Sequence, residues 1–253
     1  GSKGDPIFTE NFGSGTNYGP PLPAGTTSYT FISGRPEDGY YTLYYRTNAY
    51  PSWHDAPDHT PDGDPEGING KSLIVNASFT AGEFYRRTVS NVCVNTDFEV
   101  SGWAMNLAKS SDCQGNPIPN DITFEIWNSS ETILLKSGIT GPILSTSAPL
   151  WNQFGLTFTT PPGETSVILK MKNNGVGGCG NDLAIDDITF RSCGDSTTIT
   201  SPGITGSQFS TCESNLPVNL ELNAIISSAQ SNVLQWQSSS DAVTWTDITS
   251  ATN

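Results

Sequence analysis

Seven carboxylates, Glu10, Asp58, Asp62, Asp64, Glu66, Asp186 and Asp187, are the side chains of this chain best placed to do chemistry, and the chemistry is cation binding. Asp62-Gly63-Asp64-Pro65-Glu66-Gly67 sets oxygens at alternate positions with glycine at the sixth, like the first half of a helix-flanked calcium loop. The position that should carry the bidentate glutamate is Leu73, so a full loop of that kind is not expected. The alternative is a Ca²⁺ site assembled from distant segments: Glu10, the loop Asp58 to Glu66, and Asp187. Asp182, Asp186 and Asp187 interrupt the apolar residues Leu183, Ile185, Ile188 and Phe190. Buried charge is costly unless paired, so a cation or a hydrogen-bond network is implied there. The competing reading is a solvated acidic loop beside a hydrogen-bonded aspartate.

Aromatic side chains form the second group. Sugar rings present C–H faces that stack on aromatic planes, and Tyr40, Tyr44, Tyr50 and Trp53, with His54, are the expected ligand contacts. Tyr40 and Tyr44 fall on one face of a strand, because side chains alternate along it. Tyr50 and Trp53 lie in an irregular stretch, where either ligand contact or anchoring of the loop explains them. Trp103 and Trp127 sit in strong strand patterns and read as core. For catalysis there is no Gly-x-Ser-x-Gly elbow and no Cys-His arrangement. A distant carboxylate pair of the hydrolase type is the remaining enzymatic reading, and a non-catalytic protein is expected.

These residues need scaffolding, and the sequence supplies strands. Among 253 residues, 25 are glycine and 17 proline, which favours short strands joined by turns. Strand signals recur at Ile7–Phe12, Ser28–Ile32, Tyr40–Tyr45, Ser72–Ala77, Phe84–Val89, Asp97–Met105, Ile122–Trp127, Ile133–Lys136, Gln153–Thr159, Ser166–Lys172 and Leu183–Phe190. No window makes a convincing amphipathic helix, so an all-β sandwich is expected. Between Thr47 and Gly70 the chain is irregular, and a long loop in a compact domain is usually functional. The net charge of −14 argues against nucleic acid as a partner and fits neutral polysaccharides. No apolar run is long enough to insert in a membrane. Five cysteines without C-x-x-C spacing, and two histidines, favour disulfides in an extracellular setting over zinc.

After Cys193 the texture changes. Residues 195–207 read as a Ser/Thr/Pro/Gly linker, and 208–253 as a partial second domain. Cys212 followed by Trp236 resembles the first half of an immunoglobulin-like domain, and no later cysteine completes the pattern. Residues 219–229 carry a weaker helical alternative.

Asp58-His59-Thr60, Ser72-Leu73-Ile74-Val75-Asn76-Ala77, Ala184-Ile185-Asp186-Asp187-Ile188 and the late Cys193 resemble the MAM-type jelly roll. More closely, Asp38-Gly39-Tyr40-Tyr41-Thr42, the stretch 178–187 and Phe190-Arg191-Ser192-Cys193-Gly194 resemble the jelly-roll modules of secreted Bacteroidetes-type surface proteins. The resemblance covers residues 6–194. It implies an antiparallel jelly roll that acts as an adhesion or carbohydrate-binding module, or simply spaces further domains of the same chain. It implies a cation near Asp186 and Asp187. Cys179 stands outside the pattern; its pairing with Cys193, leaving Cys93 with Cys113, is the expected arrangement, although spacing alone leaves the connectivity open.

Overall fold

The computed structural model describes residues 3–59, 70–193, 197–202, 220–226, 235–241 and 243–252. The chain divides into two units, Asp5–Cys193 and a second comprising Gly1–Gly4 with Gly194–Asn253.

The first unit is a jelly-roll β-sandwich. Its strands in order are β1 (Lys3–Glu10), β2 (Thr30–Phe31), β3 (Tyr40–Tyr44), β4 (Ser72–Val75), β5 (Gly82–Ser90), β6 (Asp97–Asn106), β7 (Asn120–Asn128), β8 (Leu134–Ile143), β9 (Asn152–Thr159), β10 (Ser166–Asn173) and β11 (Leu183–Cys193). One sheet runs β2-β3-β4-β11-β6-β9, with β1 also paired to β11. The other runs β5-β10-β7-β8. Pairing is antiparallel throughout the second sheet. In the first, β2 joins β3 in parallel.

Alternation decides which residues face inward. β7 shows it without interruption: Ile122, Phe124 and Ile126 are buried while Thr123, Glu125 and Trp127 are half-exposed. Facing side chains of the two sheets, among them Phe98, Val100, Leu156, Phe158, Ile185 and Phe190 against Phe84, Phe124, Leu169 and Met171, make one core. Phe190 sits in an aromatic cluster, 5.4 Å from Phe98, 5.8 Å from Phe158 and 5.9 Å from Phe8 between ring centres. β4 departs from alternation, with all four residues buried. It is covered on both faces, because the segment after β3 folds back over the sheet and builds a second small core of Trp53, Ala56, Ile74, Met105, Leu107 and Ala184.

The glycine-rich turn before β11 is needed for close approach. Gly180 has φ +105°, and a Cβ there would lie 2.7 Å from the Ile118 backbone nitrogen. The Ile118 N–H donates to the Cys179 carbonyl at 3.0 Å, which brings Cys113 and Cys179 together in a disulfide with Cα atoms 5.7 Å apart. This corrects both expected pairings. Cys93 lies in the exposed β5–β6 turn as a free thiol, and Cys179 is taken by Cys113 rather than Cys193. β8 extends well past the expected Lys136, since Gly138, Gly141 and Pro142 interrupt its apolar pattern without ending the pairing with β7.

In the second unit, β12 (Thr197–Thr200) pairs with β13 (Asn223–Ile226), and β14 (Gln235–Ser238) pairs with β15 (Thr246–Thr252). Part of the expected linker is therefore strand, as are residues 223–226 of the segment with a helical alternative. Cys212, on which the immunoglobulin-like reading rests, lies outside the described residues.

Candidate functional site

The outer face of the seven-stranded sheet carries a row of side chains set by the pairing register. Tyr44 of β3 stands opposite Ser72 of β4, Asp186 of β11 opposite Trp103 of β6, and Trp103 opposite Gln153 of β9. Their neighbours in the strands, Leu43, Leu73, Ile185 and Ala104, point into the main core, so this row points out. From β3 to β6 is three strand spacings, about 14 Å.

Aromatic rings gather at both ends of the row. At one end Tyr18 stacks on Tyr44 with ring centres 4.2 Å apart, and Tyr45 meets Tyr44 edge-on at 4.6 Å. Tyr18 is 39% exposed. At the other end the His59 ring lies parallel to Trp103 at 3.8 Å, with Trp151 edge-on to His59 at 6.0 Å. Trp103 and Trp151 are half-buried, so Trp103 is not the core residue its pattern suggested. Trp127 is likewise half-buried, on the outer face of the other sheet, where its indole N–H donates to Glu125.

The acidic residues lie between these ends. Register shifts after Asp186, and Asp187 adopts φ +48°, a bulge that turns its carboxylate toward the loop. Asp186 is 1% exposed, and its two oxygens accept the backbone N–H of His59 at 2.9 Å and of Asp187 at 2.8 Å. Burial, with the charges of Asp187 and Asp58 adding to it, pushes its carboxyl up to about 8 against the pull of those N–H groups. Asp187 meets the His59 ring at 2.7 Å. The aspartates thus pin the loop end at His59 to the sheet. Asp186 is too enclosed to meet a substrate.

The expected calcium ligands separate. Asp58, Asp186 and Asp187 share one neighbourhood. Glu10 is held elsewhere: it pairs with Arg87 at 3.3 Å and accepts the Phe12 N–H. Asp62, Asp64 and Glu66 lie outside the described residues. Among the described residues no group of three or more His, Cys, Asp or Glu is disposed to hold a metal. Both Asp186 oxygens accept backbone donors, and Asp62, Asp64 and Glu66 of the expected ligand set lie outside the described residues.

Several expected ligand contacts are inward-facing. Trp53 is 3% and His54 2% exposed, which removes both from any stacking surface. The Trp53 indole N–H donates to Asp182 at 3.1 Å, and Trp53 bridges to Ala108. The His54 N–H donates to the Leu107 carbonyl, and burial, with the charge of Lys109, depresses its imidazole pKa. Tyr50 is half-buried under Arg35, whose guanidinium carbon is 3.5 Å from the ring centre, and its hydroxyl donates to Pro36. These residues anchor the loop, as the second reading of the sequence allowed. Tyr40 and Tyr44 do share the outer face of β3, half-buried. Trp103 was read as core, and Tyr18 was not foreseen as surface. Tyr18 sits in a glycine- and proline-rich loop, and nothing local in the sequence places it on Tyr44.

No protein-family model matches the chain, and no curated protein sequence does. Among solved structures, the chain is similar to the CBM22-1 xylan-binding domain of Paenibacillus barcinonensis Xyn10C. The identity is 13% and the TM-score 0.41, over 76% of this chain and 97% of that one. A cyclase from Fischerella sp. TAU is 14% identical with a TM-score of 0.49, over 76% and 98%. The enzymatically active domain of bacteriophage CBA120 tailspike protein 4 is 15% identical with a TM-score of 0.37; this chain spans 60% of its own length but 17% of that protein. Likenesses this low carry no argument about function. The resemblance to MAM-type modules has no matching family behind it.

Proposed function

We propose that this chain is a non-catalytic, extracellular carbohydrate-binding or adhesion module. Its recognition face is the outer side of the seven-stranded sheet, from Tyr18 and Tyr44 to Trp103 and Trp151. The observation that carries this is the pair of aromatic clusters, half-buried and partly exposed, at the ends of one cross-strand row. A flat ring fixed by stacking on a neighbour offers a rigid apolar plane at little entropic cost. Gln153, exposed beside Trp103 on the edge strand β9, would supply hydrogen bonds to hydroxyls. Two aromatic platforms about 14 Å apart would meet different rings of one glycan, so the ligand proposed is an internal stretch of a chain rather than a single terminal sugar. The acidic surface favours neutral glycans over anionic ones. The Cys113–Cys179 disulfide agrees with an oxidising compartment.

Calcium remains part of this reading, with Asp58 and Asp187 and the loop residues Asp62, Asp64 and Glu66 as its proposed donors. A melting temperature that falls on chelation would establish it, since an ion that binds the folded state stabilises it.

The test is retention of the protein on insoluble chitin, cellulose, xylan and agarose. Retention on one of them, lost in Tyr18→Ala and Trp151→Ala with the fold intact, is the expected outcome. Truncating an anchor at the centre of a site costs about 2 kcal/mol, roughly thirtyfold in Kd. A folded protein that is retained by none of the four points to a spacer or a protein-adhesion domain.

A further inference from the structure

We propose that Lys71 is a positioning residue: its buried ammonium holds the loop 13–19 so that Tyr18 stays stacked on Tyr44, and the recognition face thereby selects long glycan chains over short ones. The length selectivity rests on the carbohydrate reading above; the positioning stands on geometry alone.

Lys71 lies directly before β4 and is 5% exposed. A buried charge is costly unless it is paired. Among the described residues no carboxylate pairs with this amine; burial lowers its pKa and no neighbouring charge opposes the shift. Its Nζ donates instead to the backbone carbonyl of Ser14. An ammonium kept in the interior for one carbonyl is a cost to stability, and what it secures is the place of that carbonyl.

The loop is tied down at its two ends. At one, the Lys71 N–H donates to the Gly13 carbonyl at 2.8 Å, and Ser14 bridges to Gly70. At the other, the Gly19 N–H donates to the Leu43 carbonyl at 2.8 Å. Gly19 lies against both stems beneath it: a Cβ there would meet Leu43 Cβ at 2.8 Å and Lys71 Cδ at 3.4 Å. Lys71 thus touches both ends, with its amine on Ser14 and its stem beside Gly19. Between them, no hydrogen bond among the described residues ties the backbone of Thr16, Asn17 or Tyr18. The half-exposed Tyr18 ring is therefore placed by the ends of its loop and by its stack on Tyr44 at 4.2 Å. With Tyr18 in place the face has a platform at each end, about 14 Å apart. A chain that reaches both gains from each in turn, because the second contact is intramolecular. A disaccharide gains from one, so loosening Tyr18 weakens the long chain alone.

Lys71→Met keeps the stem and removes the charge. The variant should melt at or above the parent temperature, because an unpaired buried charge is gone. Its near-ultraviolet circular dichroism should lose the same tyrosine contribution that Tyr18→Ala loses. Titration calorimetry with the hexasaccharides and disaccharides of cellulose, xylan and chitin reads the selectivity. For the hexasaccharide that the parent binds, Kd should rise about tenfold; for the matching disaccharide it should stay within about twofold. In a Tyr18→Ala background, Lys71→Met should change Kd by less than about twofold, since it acts through that ring. Gly19→Ala, which crowds Leu43 at the other end of the loop, should lose the same tyrosine contribution with Lys71 intact. Retention of that contribution in Lys71→Met or Gly19→Ala would show that stacking alone holds the ring, and overturns the proposal. An effect on Kd that adds to that of Tyr18→Ala, or a Lys71→Met protein that does not fold, also overturns it. Equal losses for hexasaccharide and disaccharide overturn the length selectivity. A parent that binds none of these sugars overturns the carbohydrate reading, and the dichroism then decides the positioning by itself.

Discussion

Replacing Trp53 by phenylalanine should destabilise the first unit in a way that depends on pH. The change keeps a ring in the small core beneath the loop and removes one hydrogen bond, from the indole N–H to Asp182 at 3.1 Å. Asp182 accepts a second bond from the Ala77 N–H at 2.9 Å. Burial pushes its carboxyl up to about 7, while these two donors pull it down. The folded pKa thus lies above that of the unfolded chain. The native state holds the extra proton between about 4 and 7, so stability falls as pH rises through that window and levels off above it. At about 1.4 kcal/mol per pH unit, the fall attributable to Asp182 is at most about 4 kcal/mol. Losing the indole donor raises the folded pKa further and extends the fall to higher pH. The two proteins should then differ least near pH 5. The difference should reach about 1.5–3 kcal/mol above pH 8, the usual worth of a hydrogen bond to a charged group. Thermal melts in parallel buffers read this as a shift of about 3–12 °C at high pH. An equal shift at pH 5 and pH 8.5 would refute the coupling between Trp53 and Asp182.

Reduction, or Cys113→Ser, should cost about 2–5 kcal/mol, seen as a lower denaturant midpoint. Cys93→Ser should leave the midpoint in place, and Cys93 should react with a thiol reagent in the native protein. Gly180→Ala should destabilise by more than about 1 kcal/mol, because it combines a left-handed φ with a clash against Ile118; circular dichroism melts decide it. Phe190→Ala should cost about 3–5 kcal/mol by opening a cavity among Phe8, Phe98 and Phe158.

The sandwich was legible because its signal is periodic. Thr123 to Trp127 alternates in sequence and in burial, and the expected strands correspond to observed ones along the first unit. Ordering within the sheets was not, since β4, β11 and β6 become neighbours only through contacts far apart in sequence. The site was half legible. Asp186 and Asp187 stood out as charge within an apolar strand, and Asp58 as an acidic residue of the irregular loop. The exposure of aromatic residues was not. Trp53 lies in an irregular loop yet is buried, because that loop lies on Ile74, Met105 and Ala184. Trp103 lies in a strong strand yet is only half-buried, because on the outer face its ring is covered in part, by His59. A pattern tells which side of a strand a residue takes, and a second layer on that side is invisible to it. The disulfide failed for a similar reason: the approach of Ile118 to the glycine turn sets the partner of Cys179, and sequence spacing does not.

β11 is the last strand of the first unit to leave the ribosome, and it occupies the middle of the larger sheet, between β4 and β6. Until residue 190 is available, β4 and β6 have no partner between them, and the Phe98–Phe158–Phe190 cluster cannot close. The larger sheet therefore cannot close as the chain emerges and waits for its final strand. Such a topology, rich in distant pairings, folds slowly.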